Sequence, residues 1–261
     1  MIDKYTFPFG QKVKEVVQQD RTQKRVFVLG VYASAVHAQW IAENNKTKVK
    51  ALAVASEPYI FWRGDKADEI IGQIDIPKSL GMLIPANKQY NGPSGIALDE
   101  LILEPLGLNR SGVWLCDLIS HSCVNPSQRK AIINNYEPLI AEYNLPIPSV
   151  PEVPGQLTDG KRRSAILDEL IESGANTLIF LGDKPIQWFL KYFDQRWNRL
   201  SDFSQNEDSY GQLHLTRIRG KKISILPLAH PRQIAKLGRS STKWYEYHQT
   251  WMHQSAQDLF Q

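Results

Sequence analysis

Residues 223–238 read ISILPLAHPRQIAKLG. An apolar, β-branched run of strand length stops at Ala229-His230-Pro231 and gives way to a basic loop carrying isolated apolar residues. Proline cannot donate to a central ladder, so the strand ends there and His230 stands at its carboxyl end. Gly220, between LHLTRIR and KKISILPLAH, marks a hairpin or a loop feeding this last strand, expected over Lys222–Leu228.

Four similar runs precede it, at Arg25–Leu29, Val49–Val54, Val113–Leu118 and Thr177–Leu181. They alternate with segments of helical period expected over Ala33–Asn44, Gln128–Tyr143, Arg163–Ser173, Lys184–Phe193 and Thr242–Phe260. Gly174 closes the third of these, and Ser127 and Asp183 are the expected N-caps of their neighbours. This alternation predicts an α/β fold, a mainly parallel sheet covered by helices. The strand ends carry Gly30-Val31-Tyr32, Ser56-Glu57, Asp117 and Gly182-Asp183, where open α/β sheets bind their ligands. Asp75–Asn109, with Pro77, Pro85, Pro93 and NGPSG, reads as an irregular flap, and Asn144–Gly160, with four prolines, as a semi-rigid surface connection. Neither reads as a domain linker, so residues 1–261 are expected to form a single domain.

With 42% hydrophobic residues, 7 Trp, 10 Tyr and 9 Phe, the chain has the apolar surface for a sizeable core, which excludes global disorder. The longest apolar runs are too short to cross a bilayer, and MIDKYTFPFGQKVKEV lacks the apolar core of a signal peptide, so the expected compartment is the cytoplasm. Cys116 and Cys123, even with His121 between them, fall short of a structural zinc site, and no metal is expected. A net charge of +4 says little, but its distribution says more. Between Tyr210 and Tyr245 stand Arg217, Arg219, Lys221, Lys222, Arg232, Lys236, Arg239 and Lys243 with no Asp or Glu. Such a field suits phosphates, against the plainer alternative of a solvated basic face.

Four motifs together resemble the uracil-DNA glycosylase superfamily: VFVLGVYASAVH at the first strand, VWLCDLISHSCVNPSQRKAI at a middle strand, NTLIFLGDKPIQWF before a helix, and the terminal AHP with its loop. They span most of the chain in the superfamily's order. The resemblance implies a three-layer αβα sandwich around a mainly parallel sheet. It also implies a monofunctional DNA glycosylase that extrudes a base and leaves an abasic site, with DNA as partner, no cofactor and no obligate protein partner.

By the resemblance, His230 hydrogen-bonds a base carbonyl oxygen and stabilises the negative charge of the departing base. In the loop after it, Ile234 or Leu237 is the wedge entering the base stack, against the competing reading that both pack helically on the body, while Arg232, Lys236 and Arg239 hold phosphates. Relatives with strong uracil activity carry Asp or Asn two residues after the first-strand glycine. Here that position is Tyr32, which cannot replace a carboxylate at neutral pH. Glu57 and Asp65, in SEPYIFWRGD, are the nearest substitutes for orienting water or stabilising the sugar cation. Phe61 or Trp62 is the candidate for stacking on the extruded base, against the competing reading of core packing.

Asp117 aligns with the superfamily's base-reading Asn. An ionised Asp only accepts hydrogen bonds and so suits the exocyclic amino group of cytosine. A protonated Asp117 also donates to cytosine N3, with uracil expected as the poorer fit. Asn125 is the second candidate reader. Because removal of ordinary cytosine would destroy the host genome, the implied substrate is a hypermodified cytosine of phage DNA, such as glucosylated hydroxymethylcytosine, with the Asp75–Asn109 segment making room for the added group. A repair glycosylase for uracil or another deaminated base, and a non-catalytic DNA-binding relative, are the alternatives.

Overall fold

The computed structural model describes residues 2–237 and 242–260. In chain order the strands are β1 (Val26–Tyr32), β2 (Ala35–Ile41), β3 (Thr47–Ser56), β4 (Met82–Pro85), β5 (Val113–Ile119), β6 (Thr177–Leu181), β7 (His214–Ile218) and β8 (Lys221–Leu228). The α-helices are α1 (Ala67–Gly72), α2 (Pro93–Leu98), α3 (Pro126–Asn135), α4 (Ile140–Tyr143), α5 (Gly160–Ser173), α6 (Asp183–Pro185), α7 (Lys191–Phe193), α8 (Pro231–Ile234) and α9 (Thr242–Gln254). The chain divides into two compact units. One comprises Met1–Val16, Tyr32–Pro93 and Ser120–Gly155; the other comprises Val17–Val31, Ser94–Ile119 and Gln156–Gln261. Both proline-rich segments singled out in the sequence contain a crossing from one unit to the other.

The second unit is built on a mixed, mostly parallel five-stranded sheet in the order β5-β1-β6-β8-β7, so the α/β class holds. β6 runs parallel to β1 on one side (Val26↔Thr177) and to β8 on the other (Thr177↔Ser224). Every residue of β5 and β6 is buried, as in strands covered on both faces, with Asp117 the one charged residue among them. α5 starts where the Asp159 carboxylate accepts the Arg162 N–H at 2.7 Å, ends at Gly174 in the left-handed region, and buries Ile166, Leu167 and Leu170 along one face. The expected helix over Lys184–Phe193 is α6, a π-helical stretch Ile186–Leu190 and α7 in succession. Asp183 is not its cap. The N-cap is Gly182, and the Asp183 carboxylate accepts from Leu200 N–H at 2.7 Å instead. α9 stops at Gln254, short of the expected Phe260.

In the first unit a three-stranded antiparallel sheet in the order β3-β2-β4 replaces two sequence expectations. Ala33–Asn44 is not a helix. Its centre is β2, paired on both sides, with Val36, Ala38 and Trp40 fully buried at the two-residue spacing of one sheet face. Helix-favouring alanines are overridden there by ladder pairing and by the Trp40 indole, which donates to Leu80 O at 2.7 Å. Val49–Val54 lies within β3, antiparallel to β2, rather than in the main sheet. The turn joining them holds Asn45 at φ 60, while the Asn44 side chain accepts from Lys46 N–H.

The capping box of α3 is formed by Asn125 and Gln128 (3.0 and 2.8 Å), two residues before the expected Ser127, because Pro126 lacks an N–H and suits the first helical position. Pro138 then ends the regular helix well before Tyr143, leaving a 3₁₀ turn and the short α4. Asp75–Asn109 is no flap: it supplies β4, α2 and a π-helical turn over Asp99–Leu103. The NGP within it holds the chain after β3 in place. A Cβ on Gly64 would lie 2.5 Å from Asn91 O, and one on Gly92 2.0 Å from the Arg63 carbonyl carbon.

Gly92→Ala is therefore expected to destabilise the protein by about 2 kcal/mol or more in urea denaturation, since backbone meets backbone at a positive φ. Gly72→Ala, in α1 with open space around it, serves as the control and is expected to be neutral or to stabilise by about 0.5–1 kcal/mol. Equal effects would show that the Arg63–Asn91 contact is not needed.

Candidate functional site

His230 follows the end of β8 and is the N-cap of α8. Its Nδ1 accepts the Arg232 N–H at 3.2 Å, and the Gln233 side chain accepts the His230 N–H at 3.3 Å. With Nδ1 engaged as an acceptor, the neutral ring carries its proton on Nε2 and presents a donor. Loss of hydration and, secondarily, the nearby Arg232 charge pull the His230 pKa down to about 4, so the ring is neutral at physiological pH. β6 ends beside it. Gly182 N–H donates to Leu228 O at 2.7 Å, and a Cβ on Gly182, at φ 83, would stand 3.2 Å from the His230 Cβ.

Asp117 belongs to the same unit and the same sheet, on β5, and only 4% of it is exposed. Burial pushes its carboxyl up to about 7, and Glu169 adds to the rise; Arg162 and the Val31 N–H act against it. Two strands, β1 and β6, separate β5 from β8 in the sheet order. Three inter-strand spacings amount to about 14 Å. Arg162 clamps the backbone of β5, donating to Asp117 O at 2.6 Å and Leu118 O at 3.1 Å, and approaches Glu169 at 3.4 Å.

Of the loop residues, Arg232 and Lys236 are exposed, and the Lys236 ammonium sits 3.7 Å from the Tyr245 ring centroid. Ile234 is not available as a wedge. It is 0% exposed, the inward face of α8, whereas Leu237 is only partly buried. Arg239 lies outside the described residues.

The remaining predicted residues, Tyr32, Glu57, Phe61, Trp62, Asp65 and Asn125, fall in the first unit. Glu57 is buried just past the end of β3. Asp65 is exposed and accepts the Tyr59 hydroxyl. Trp62 is a core side chain, 1% exposed, its indole donating to Asp65 O at 2.8 Å; this removes it as a stacking platform. Phe61 is buried at φ 51, an unusual backbone for a bulky residue. Tyr32, the last residue of β1, is partly buried. The Asn125 side-chain oxygen is taken by the α3 capping box and is not free to read a base. Among the described residues no group of three or more His, Cys, Asp or Glu side chains could hold a metal ion.

Sequence reasoning missed one buried relay in the second unit. Tyr210 OH accepts the Ala229 N–H at 3.0 Å and meets His248 Nδ1 at 2.7 Å, and His248 Nε2 meets Leu101 O at 2.7 Å. The carbonyl only accepts, so Nε2 carries the proton and Nδ1 receives the Tyr210 hydroxyl proton. Burial holds the His248 pKa down at about 4. The chain of bonds fixes the residue preceding His230. Tyr210 and His248 stand 38 residues apart and share no motif, so only their co-burial exposes the link.

The Asp117 carboxyl keeps its proton up to about pH 7 in the folded protein and releases it near 3.8 when unfolded. Its stabilising contribution is thus complete below pH 3.8 and lost as pH rises through 7. Asp117→Asn is expected to gain stability relative to the parent as pH rises from 4 to 7, by at most about 1.4 kcal/mol per pH unit, and to level off above. Melting temperatures across that range check this, and a constant difference from pH 4 to 8 would refute it. Comparisons with known proteins match no family model to the chain and return no characterised relative.

Proposed function

We propose that the protein is a DNA glycosylase of the uracil-DNA glycosylase superfamily, with its three-layer αβα sandwich, acting in the cytoplasm. It extrudes a non-standard base and hydrolyses the N-glycosidic bond, leaving an abasic site. The observation that carries this reading is His230, a neutral imidazole past the carboxyl end of a buried strand, with Nδ1 engaged and Nε2–H left as donor. When the bond from sugar to base breaks, the electron pair leaves with the base and charge gathers on its carbonyl oxygen. A neutral Nε2–H placed there stabilises the charge without surrendering its proton, and water completes the sugar. Relatives' motifs in the same order along the chain support the reading, and the exposed Arg232 and Lys236 beside His230 suit flanking phosphates.

Asp117 directs the choice of base. Ionised, its two oxygens accept from the exocyclic amino group of a cytosine. Its raised pKa refines the sequence argument, because a protonated acid has one donor and one acceptor and fits the uracil edge as well as the cytosine edge. Discrimination against uracil therefore belongs to the ionised form, above about pH 7. The favoured substrate is a hypermodified cytosine of phage DNA, and the host is spared because its own cytosine lacks the added group.

Duplexes containing uracil, hypoxanthine, cytosine or glucosylated hydroxymethylcytosine, treated with protein and then with alkali to cut abasic sites, test the proposal. Cleavage at the glucosylated base is expected, with the ratio of cytosine-type to uracil excision rising between pH 6 and 8. His230→Ala should slow excision by about 10²–10³-fold with DNA affinity retained, and Asp117→Asn should move preference toward uracil and flatten its pH dependence. DNA binding with no excision of any base would overturn the enzyme reading. Excision of uracil alone would overturn the substrate.

A further inference from the structure

The basic segment between Tyr210 and Tyr245 is not one field. β8, eight residues long, separates two groups of cations by about 23 Å, seven steps of about 3.3 Å. Arg232 and Lys236 flank His230 at the carboxyl end, while Arg217, Arg219, Lys221 and Lys222 gather around the β7–β8 turn at the other. The second group lies too far away to clamp a nucleotide held at His230.

Three features of this turn run against the stability of the hairpin. Ile218 pairs with Lys221, leaving Arg219 (φ 47) and Gly220 (φ 79) as a two-residue loop whose first position normally favours Asn, Asp or Gly. Arg217 stands directly opposite Lys222 in the ladder, a like-charge pair. Among the described residues no carboxylate lies within salt-bridge distance of any of the four cations; the neighbouring Asp194 is engaged by Arg196 and Thr216. Arg196, Arg217 and Lys222, with Phe193, Leu215, Thr216 and the Asp194 carboxylate that Arg196 neutralises, line an open cleft of about 310 Å³ at this edge.

We propose that the β7–β8 hairpin is a second nucleic-acid contact, gripping backbone phosphates remote from His230. An anion in the cleft relieves the Arg217–Lys222 repulsion, and the guanidinium at the tip offers the paired donors that phosphate takes. Strand addition by a peptide is disfavoured, because the edge carbonyl of Leu215 already accepts from Arg196 at 3.1 Å. Recognition is left to charge, and a regular file of phosphates is the partner that supplies it. The contact does not depend on base excision.

The test uses the full chain carrying Arg217→Glu and Arg219→Asn. Folding is expected to be retained, since the first change exchanges the Arg217 hydrogen bond to Gly220 O (3.0 Å) for an ion pair with Lys222 and the second places a preferred residue in the turn. Lys46→Glu with Lys50→Asn, in the first unit, removes the same charge and serves as control. Binding to a duplex of about 40 bp is measured by fluorescence anisotropy over a salt series, beside polyglutamate and inorganic phosphate. The hairpin variant is expected to bind the duplex about tenfold more weakly, with the slope of log K against log salt reduced by about 2. The control should keep the parental slope, and polyglutamate should bind weakly. An unchanged slope in the hairpin variant, an equal loss in the control, or polyglutamate bound as tightly as DNA would overturn the proposal. Excision lost at His230→Ala with the hairpin slope intact, or no excision at all with the hairpin effect present, separates this contact from the glycosylase reading.

Discussion

The hydrogen bond from Gly182 N–H to Leu228 O extends the parallel β6–β8 ladder past its last strand residues, and the placement of His230 depends on it. Gly182 is left-handed and lacks a side chain, so the two strand ends close until a Cβ there would stand 3.2 Å from the His230 Cβ. Pro231 then ends the strand and opens α8, whose first turn uses the imidazole itself as its cap. A side chain proposed to act on a substrate is thus oriented by the backbone that it caps. Behind it, the Ala229 N–H is tied through Tyr210 and His248 to Leu101, so the residue preceding the imidazole is held by buried bonds.

Burial produces the two opposed proton affinities of the second unit. Removing water disfavours whichever form carries charge. It therefore holds His230 and His248 neutral well below ordinary histidine values and holds Asp117 neutral well above ordinary carboxylate values. The histidines gain nothing from a compensating acid, and Arg162 offsets only part of the Asp117 penalty while Glu169 adds to it. The stability consequences oppose one another: as pH falls below 6.5 the histidines cost stability while Asp117 restores some.

The basic residues show how one stretch of sequence serves two places. Eight cations without an acid read as a single field, but a strand running through their middle leaves Arg217, Arg219, Lys221 and Lys222 at one end and Arg232 and Lys236 at the other. Leu215, 65% exposed on the edge strand, and Arg196 bonded to its carbonyl mark the hairpin side as a blunted edge.

Amino-acid order by itself determined the buried strands β1, β5, β6 and β8, the stop of α5 at Gly174, and the hairpin at Gly220, because each is encoded in a local apolar run or a turn residue. The position of His230 at a strand end was legible for the same reason. Tertiary structure alone decided that 33–44 contains a strand, because β2 is stabilised by partners on both sides and not by its own alanine-rich propensity. It alone placed Val49–Val54 in a separate antiparallel sheet, assigned Trp62 and Ile234 to the interior and Asn125 to a helix cap, and joined Tyr210 to His248. Each of these outcomes is set by contacts between residues distant in the chain, and a side chain's burial and the protons it keeps follow from what those contacts exclude from water.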